Sequence, residues 1–216
     1  MSSKPELHIA PCSYEAAKFA VEHWHYSGTM PATQFKLGVW EGGQFIGAVL
    51  FGMGSGNSTH GGAYGLKAKG EVAELVRVAL RNHAAPVSRI LSVCIRIVAR
   101  ENPKLRMLIS FADYKAQNHT GTIYQAGNWR YLGIFGGHDG FVIHGKVVHN
   151  RTIGARGWKQ QLSWLQKHID TNARKNSTIK VRYGYPLDCE IARRLDKMAK
   201  PYPTEAELRK LAQEAS

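Results

Sequence analysis

Residues Glu71–Ala112, EVAELVRVALRNHAAPVSRILSVCIRIVARENPKLRMLISFA, decide the fold. Glu71–Leu80 has no Gly or Pro and is rich in Val, Leu and Ala, so it reads as a strand. Pro86, Val87 and Ser88 then open a helix, since a proline without an N–H suits a first turn. Its apolar residues Ile90, Leu91, Cys94, Ile97 and Val98 fall at i, i+1, i+4, i+7 and i+8, one stripe on a helical cylinder. Met107–Ala112 is a short apolar run, a buried strand. A strand, a crossover helix and a second buried strand make the two strands parallel neighbours.

Working outward, Ser13 caps a helix running through Tyr26, with Ala17, Ala20, Val21 and Trp24 as its buried stripe. Gln34–Trp40 and Gln44–Phe51 are strands around the hairpin signal Glu41-Gly42-Gly43. Residues 52–70 carry seven glycines and read as a flexible loop close to function. Thr120–Ala126 is a short helix, and Trp129–Phe135, Phe141–His144 and Ile179–Tyr185 are strands. Trp158–Ile169 is a helix, and Thr204–Ala215 is a polar helix whose Thr204 and Glu207 have capping-box spacing. The fold class is α+β, a mixed central sheet flanked by helices.

The chain has 216 residues, with 29 Lys and Arg against 16 Asp and Glu, a net charge of +13. Its three cysteines, Cys12, Cys94 and Cys189, form no C-x-x-C pair, which argues against a disulfide framework or a cysteine-built zinc site and for a reducing cytoplasm. No secretory leader or membrane span is visible. Residues 1–145 hold 14 basic and 9 acidic side chains, whereas 146–216 hold 15 and 7. The division expected is therefore a main domain over 1–150 and a basic extension over 151–216 that continues it, with a sheet-completing strand and helices. Arg151, Arg156, Lys159, Arg174, Lys175, Lys180 and Arg182 are the candidate nucleic-acid contacts, because cations that displace condensed counterions favour a polyphosphate partner. A solvated basic face is the plain alternative.

Four constellations bear on chemistry. The turn Arg81–Pro86 leads a strand into a helix N-terminus, which suits an anion such as pyrophosphate, although an ordinary strand-to-helix connection reads the same way. Asp113 follows a buried strand, where open sheets build sites; it is a proton acceptor or a turn cap. Tyr124 lies on the next helix, as an acid or as packing. His25 and Tyr26 end the first helix, a possible nitrogen and oxygen metal pair.

The order of helix, hairpin, strand, turn, helix, strand and tyrosine-bearing helix resembles the GNAT acyltransferase fold. Two places depart from it: Asn128 and Trp129 stand where Gly-Phe follows the tyrosine, and Arg81–Pro86 replaces the glycine-rich pyrophosphate loop. A more specific resemblance is to the bacteriophage Mom family of GNAT-like DNA modification proteins. It rests on His25-Tyr26-Ser27-Gly28, Glu74-Leu75-Val76-Arg77, Ser88, Ala112-Asp113, Gly121–Ala126 and Asn128-Trp129. That resemblance implies conversion of adenine N6 in double-stranded DNA to a carbamoylmethyl adenine, protecting phage DNA from restriction in the bacterial cytoplasm. It nominates His25, Tyr26, Arg77, Ser88, Asp113 and Tyr124 as functional; the roles expected are catalysis for Asp113, Tyr124, Ser88 and Tyr26, and holding the group donor for Arg77, Ser88 and Asn82. It also implies iron at His25 and Tyr26. The donor is unidentified by sequence. An acyl-CoA-dependent N-acyltransferase and an inactive DNA-binding module are the competing readings. The terminal helix 204–215 is an appendage or a homodimer contact. Arg77, two residues from Leu75 on a regular strand, is expected to share its face.

Overall fold

A computed structural model describes residues 6–53, 61–66, 70–114, 120–143, 146–149 and 175–214. In chain order the elements are β1 (Leu7–Pro11), α1 (Tyr14–Trp24), β2 (Phe35–Glu41), β3 (Gln44–Gly52), a 3-10 turn (Gly61–Tyr64), β4 (Val72–Leu80) and α2 (Val87–Glu101). They continue with β5 (Met107–Asp113), α3 (Thr122–Gln125), β6 (Arg130–Ile143), β7 (Lys146–His149), β8 (Lys175–Pro186), α4 (Cys189–Met198) and α5 (Glu205–Glu214). The chain divides into two compact units, residues 1–112 with 121–133 and 182–202, and residues 113–120 with 134–181 and 203–216.

In the strand order β1-β2-β3-β4-β5-β8-β6, the first unit holds β1 to β4, β5 up to Ala112, residues 182–186 of β8 and residues 130–133 of β6. β1 to β4 are successively antiparallel, and β4 pairs parallel with β5 as the crossover requires. The β2–β3 hairpin turns on Gly42 and Gly43, both at positive φ (57° and 79°), the geometry whose twist matches the flanking strands. α1 starts where Ser13 Oγ accepts from the Ala16 N–H at 3.1 Å. It buries Ala17, Ala20 and Val21 against Ala48, Leu50 and Ala79 of β3 and β4. α2 buries Ile90, Leu91, Cys94, Ile95 and Val98, so its stripe includes Ile95 and leaves Ile97 half-buried.

A second cluster joins Tyr64, Leu66, Val72, Met107, Ile109 and Leu132 to Ile191 and Leu195 of α4. Within the glycine-rich segment Gly61–Tyr64 forms a 3-10 turn, and Tyr64 and Leu66 are set into the core. α4, which the sequence reading did not anticipate, begins at Asp188, whose carboxylate accepts from the Ile191 N–H (2.9 Å) and from Arg106 Nε (2.7 Å). β1 was also unanticipated. The two strands expected over 129–135 and 141–144 are one continuous strand, β6.

In the second unit the far part of β6 pairs antiparallel with β7. α5 carries the expected capping box, with Thr204 N–H donating to Glu207 Oε2 (2.7 Å) and Glu207 N–H donating to Thr204 Oγ1 (3.2 Å). The helix expected at 158–169 lies outside the described residues. No helix among the described residues is long and apolar enough to cross a membrane. Cys12, Cys94 and Cys189 are all free thiols.

Candidate functional site

Two irregularities in β4 place the site. Leu50 opposes Arg77 and Phe51 opposes Leu75, so β4 carries one extra residue, Val76, between those pairs. Neighbours along β3 point to opposite faces, hence Arg77 and Leu75 do too, contrary to the two-residue alternation expected. The bulge turns Arg77 onto the face that carries Leu50 and α1, and Glu74, opposite Gly52, shares that face. Parallel pairing between β4 and β5 also stops early: it covers Val72↔Met107 to Glu74↔Ile109, while β4 runs on to Leu80.

Where the backbone pairing ends, a side chain takes over. Ser110 Oγ lies 2.9 Å from the Leu75 carbonyl oxygen and 2.8 Å from the Tyr124 hydroxyl. A serine has one proton, and the carbonyl can only accept. When Ser110 donates to Leu75, the Tyr124 hydroxyl donates to Ser110. Both residues are buried, Ser110 completely. Tyr124 is stacked on Tyr183 (ring centroids 4.9 Å) and edge-on to Trp129 (5.2 Å). Burial pushes its phenol well above the usual tyrosine range, partly opposed by the Ser110 bond and reinforced by the nearby Tyr26, Glu74 and Tyr183. Tyr124 is therefore a neutral hydrogen-bonding phenol at ordinary pH.

At the end of α1, His25 packs beside Tyr26 with ring centroids 4.3 Å apart, and Tyr26 is exposed. His25 Nδ1 lies 3.1 Å from the Ser27 backbone N–H, which can only donate, and 2.9 Å from Ser27 Oγ. Nδ1 is thus an acceptor, and the neutral ring carries its proton on Nε2. Burial, with the Arg77 charge nearby, lowers its pKa to about 4. Arg77 Nη1 donates to the Val76 carbonyl at 2.7 Å. Of the two residues for which iron is implied, His25 has Nδ1 engaged by Ser27, which leaves Nε2 as its metal-facing nitrogen in the other tautomer, and Tyr26 is exposed. No group of three His, Cys, Asp or Glu side chains suited to a metal occurs among the described residues.

The remaining candidates sit as follows. Asp113 is the half-buried last residue of β5. Ser88 is half-buried in the first turn of α2, and Asn82 is exposed in the turn before it. That turn is not an open anion cradle: the Glu41 carboxylate accepts from the Ala84 N–H (2.8 Å) and the Ala85 N–H (2.7 Å). Lys175 begins β8; Lys180 is half-buried in the same strand. Arg182, also half-buried, donates from Nη2 to the Leu132 carbonyl at 3.1 Å, so part of its guanidinium serves the sheet. Arg151, Arg156, Lys159 and Arg174 lie outside the described residues.

Sequence reasoning missed Ser110, Glu74 and Glu41 as site residues. The signal for Ser110 was present, because a lone hydroxyl in the apolar run Met107–Ala112 demands a partner once buried.

Several solved structures are similar. An acetyltransferase of the GNAT family from Streptococcus pneumoniae shares 11% identity over 84% of this chain and 100% of its own, at a TM-score of 0.42. A Bacillus subtilis acetyltransferase in complex with CoA shares 12% over 86% and 100%, at 0.42. A protein from Acinetobacter baylyi ADP1 described as an acetyltransferase shares 9% over 87% and 96%, at 0.49. A search of the curated proteins finds no match. The Mom protein family model matches residues 6–204, nearly the whole chain and every element of the site just described, and the chain belongs to the Mom protein family.

Proposed function

We propose that this protein is a transferase that modifies the exocyclic N6 of adenine in double-stranded DNA with a carbamoylmethyl group. The observation that carries the reading is the cluster at the parting of β4 and β5. Ser110 and Tyr124 close the apex, Tyr26 and Glu74 lie within electrostatic reach of the Tyr124 hydroxyl, and the β4 bulge brings Arg77 towards His25. Family membership and the net charge of +13 point the same way, since such a charge favours a polyphosphate partner.

Adenine N6 is a weak nucleophile whose lone pair is delocalised into the ring, so it needs positioning and a proton acceptor in a site that excludes water. A duplex shields the amine, and base flipping delivers it. In the proposed step the methylene carbon of an electrophilic two-carbon amide donor bonds to N6. The donor's leaving group departs with the electron pair of the broken bond, and one N6 proton passes to a carboxylate. Asp113 is the proposed acceptor. Tyr124, kept protonated by burial, donates a hydrogen bond; the exposed Tyr26 is the proposed contact for the incoming base. Arg77 and Ser88 orient the donor. Lys175, Lys180 and Arg182, with Arg151, Arg156, Lys159 and Arg174, supply phosphate contacts, and the setting is a bacterial cytoplasm.

The test is mass spectrometry of nucleosides from DNA of cells expressing the protein. Modified deoxyadenosine is expected with the wild type. Asp113→Asn and Tyr124→Phe should each lower it by about 100-fold or more, the usual scale for losing a general acid or base, while DNA binding persists. Unmodified DNA from wild-type cells, or wild-type levels in either variant, would refute the assignment.

A further inference from the structure

The turn between β4 and α2 is the place in this fold where backbone N–H groups and a helix N-terminus face outward together, the natural seat for an anion. Here the seat is taken. Glu41, the last residue of β2, sends one carboxylate oxygen to each of two consecutive amides, Oε2 to Ala84 (2.8 Å) and Oε1 to Ala85 (2.7 Å). The next residue, Pro86, has no N–H to offer. Among residues 84–86, then, every backbone donor is spent or missing.

The contact is built rather than incidental. Two further bonds hold the β2–β3 hairpin against the turn, Arg81 N–H donating to the Ile46 carbonyl (3.0 Å) and Arg81 Nη2 donating to Gln44 Oε1 (3.3 Å), and within the turn His83 Nδ1 donates to the Ala85 carbonyl (2.7 Å). The Arg81 guanidinium also lies over Trp24, 5.5 Å from the ring centroid. Glu41 thus reaches the amides from a fixed platform, which keeps the entropy lost in forming the two bonds small. The bonds to Ala84 and Ala85, with His83 nearby, hold its carboxyl below the usual glutamate range.

We propose that Glu41 is a tethered anion that occupies this cradle against phosphate-bearing ligands, so that the group donor of this protein is not one anchored by a diphosphate at the β4–α2 turn. A second anion brought to the same amides would have to displace a charge-assisted, two-pronged contact and then sit beside the displaced carboxylate. The statement about the donor rests on the group transfer proposed above; the occupancy of the cradle does not. It also separates this chain from an acyltransferase that grips coenzyme A through the same turn.

The experiment uses the full chain and two probes, inorganic pyrophosphate and coenzyme A. They are titrated calorimetrically into the wild type, Glu41→Gln and Glu41→Ala, with the Ala84 and Ala85 amide resonances followed by NMR. The amide readout distinguishes binding at the turn from binding elsewhere on a basic surface. Pyrophosphate is expected to leave both amides of the wild type unmoved. It should shift both in Glu41→Ala with an affinity at least about tenfold higher at this site, and have an intermediate effect in Glu41→Gln, whose amide oxygen accepts but carries no charge. Should Glu41→Ala fail to fold, Glu41→Gln decides alone. Coenzyme A shifting the two amides of the wild type would overturn the proposal, as would folded variants that gain nothing. Because adenine modification is read independently, a wild type that modifies DNA while seating coenzyme A at this turn sinks the inference and spares the function. A wild type that leaves DNA unmodified while Glu41→Ala gains the probe does the reverse.

Discussion

Replacing Ser110 with alanine removes one oxygen atom from the centre of the site and barely alters its volume, so the consequence is almost purely one of hydrogen bonding. Ser110 is fully buried and serves two groups, the Leu75 carbonyl at 2.9 Å and the Tyr124 hydroxyl at 2.8 Å. With the serine gone, the Leu75 carbonyl and the Tyr124 hydroxyl each lose this bond. A buried polar group that loses its bond costs about 1–3 kcal/mol where nothing replaces it, so Ser110→Ala should lose up to about 6 kcal/mol and at least about 1 kcal/mol for the Leu75 carbonyl. In a chain of this length each kcal/mol lowers the melting temperature by about 2–4 °C. Tyr124→Phe is different. The phenylalanine ring keeps the stacking on Tyr183, and the Ser110 proton still goes to Leu75, so one hydrogen bond vanishes and no donor is stranded. About 1 kcal/mol is expected. The double variant leaves only the Leu75 carbonyl unserved and should be no less stable than Ser110→Ala alone. Urea unfolding at constant m measures all three against the wild type. A double variant whose loss equals the sum of the single losses within about 0.5 kcal/mol would refute the shared-proton account, and so would a Tyr124→Phe loss as large as that of Ser110→Ala.

Two further perturbations follow from the same neighbourhood. His25 has a folded pKa of about 4 against an ordinary 6.5, so protonation favours the unfolded chain; its contribution is complete above pH 6.5 and is lost as the pH falls from 6.5 towards 4. The unfolding midpoint should drop across that interval and flatten in His25→Gln, whereas an imidazole titrating near 6.5 by NMR would contradict the burial argument. Gly121 has φ +88° and an added Cβ would lie 2.3 Å from the Tyr183 hydroxyl, so Gly121→Ala should destabilise by about 2–4 kcal/mol through left-handed strain and overpacking, checked by thermal unfolding.

The parts of the fold legible in the sequence are those written in local periodicity. α1 and α2 announce themselves by a capping serine, an N-terminal proline and apolar stripes; the parallel pairing of β4 with β5 follows from the helix between them. β1 is a short, half-exposed edge strand that ends at a proline and pairs on one side only, so neither alternation nor hydrophobicity marks it. α4 buries only Ile191 and Leu195 within a charged helix, a stripe too thin to stand out beside Arg193, Arg194, Asp196 and Lys197. One member of the α2 stripe differs, Ile95 in place of Ile97, because both are apolar; the burial of Ile95 comes from packing that the pattern leaves undetermined. Tyr64 and Leu66 show the converse error: glycine density suggests a loose segment, and two apolar side chains within it are set into the core.

The site was legible only as separate residues, because what assembles it is non-local. The Val76 bulge leaves no mark in β4 that a regular strand would lack, yet it decides which face Arg77 occupies. Ser110 and Tyr124 come from different elements, and Glu41 reaches across 43 and 44 residues to Ala84 and Ala85. Burial then acts on opposite kinds of acid with one result. Excluding water disfavours whichever form is charged, so it raises the phenol of Tyr124 and lowers the imidazole of His25, and both are neutral at pH 7. Arg77 and Glu74, on the same face of the bulged strand, are the formally charged side chains of that stretch. A neutral hydrogen-bonding wall beside one cation and one carboxylate matches an uncharged nucleophile such as an exocyclic amine better than an ionised one. An ammonium entering this site would first have to surrender a proton to become a nucleophile, whereas the proposed adenine N6 arrives as a neutral amine.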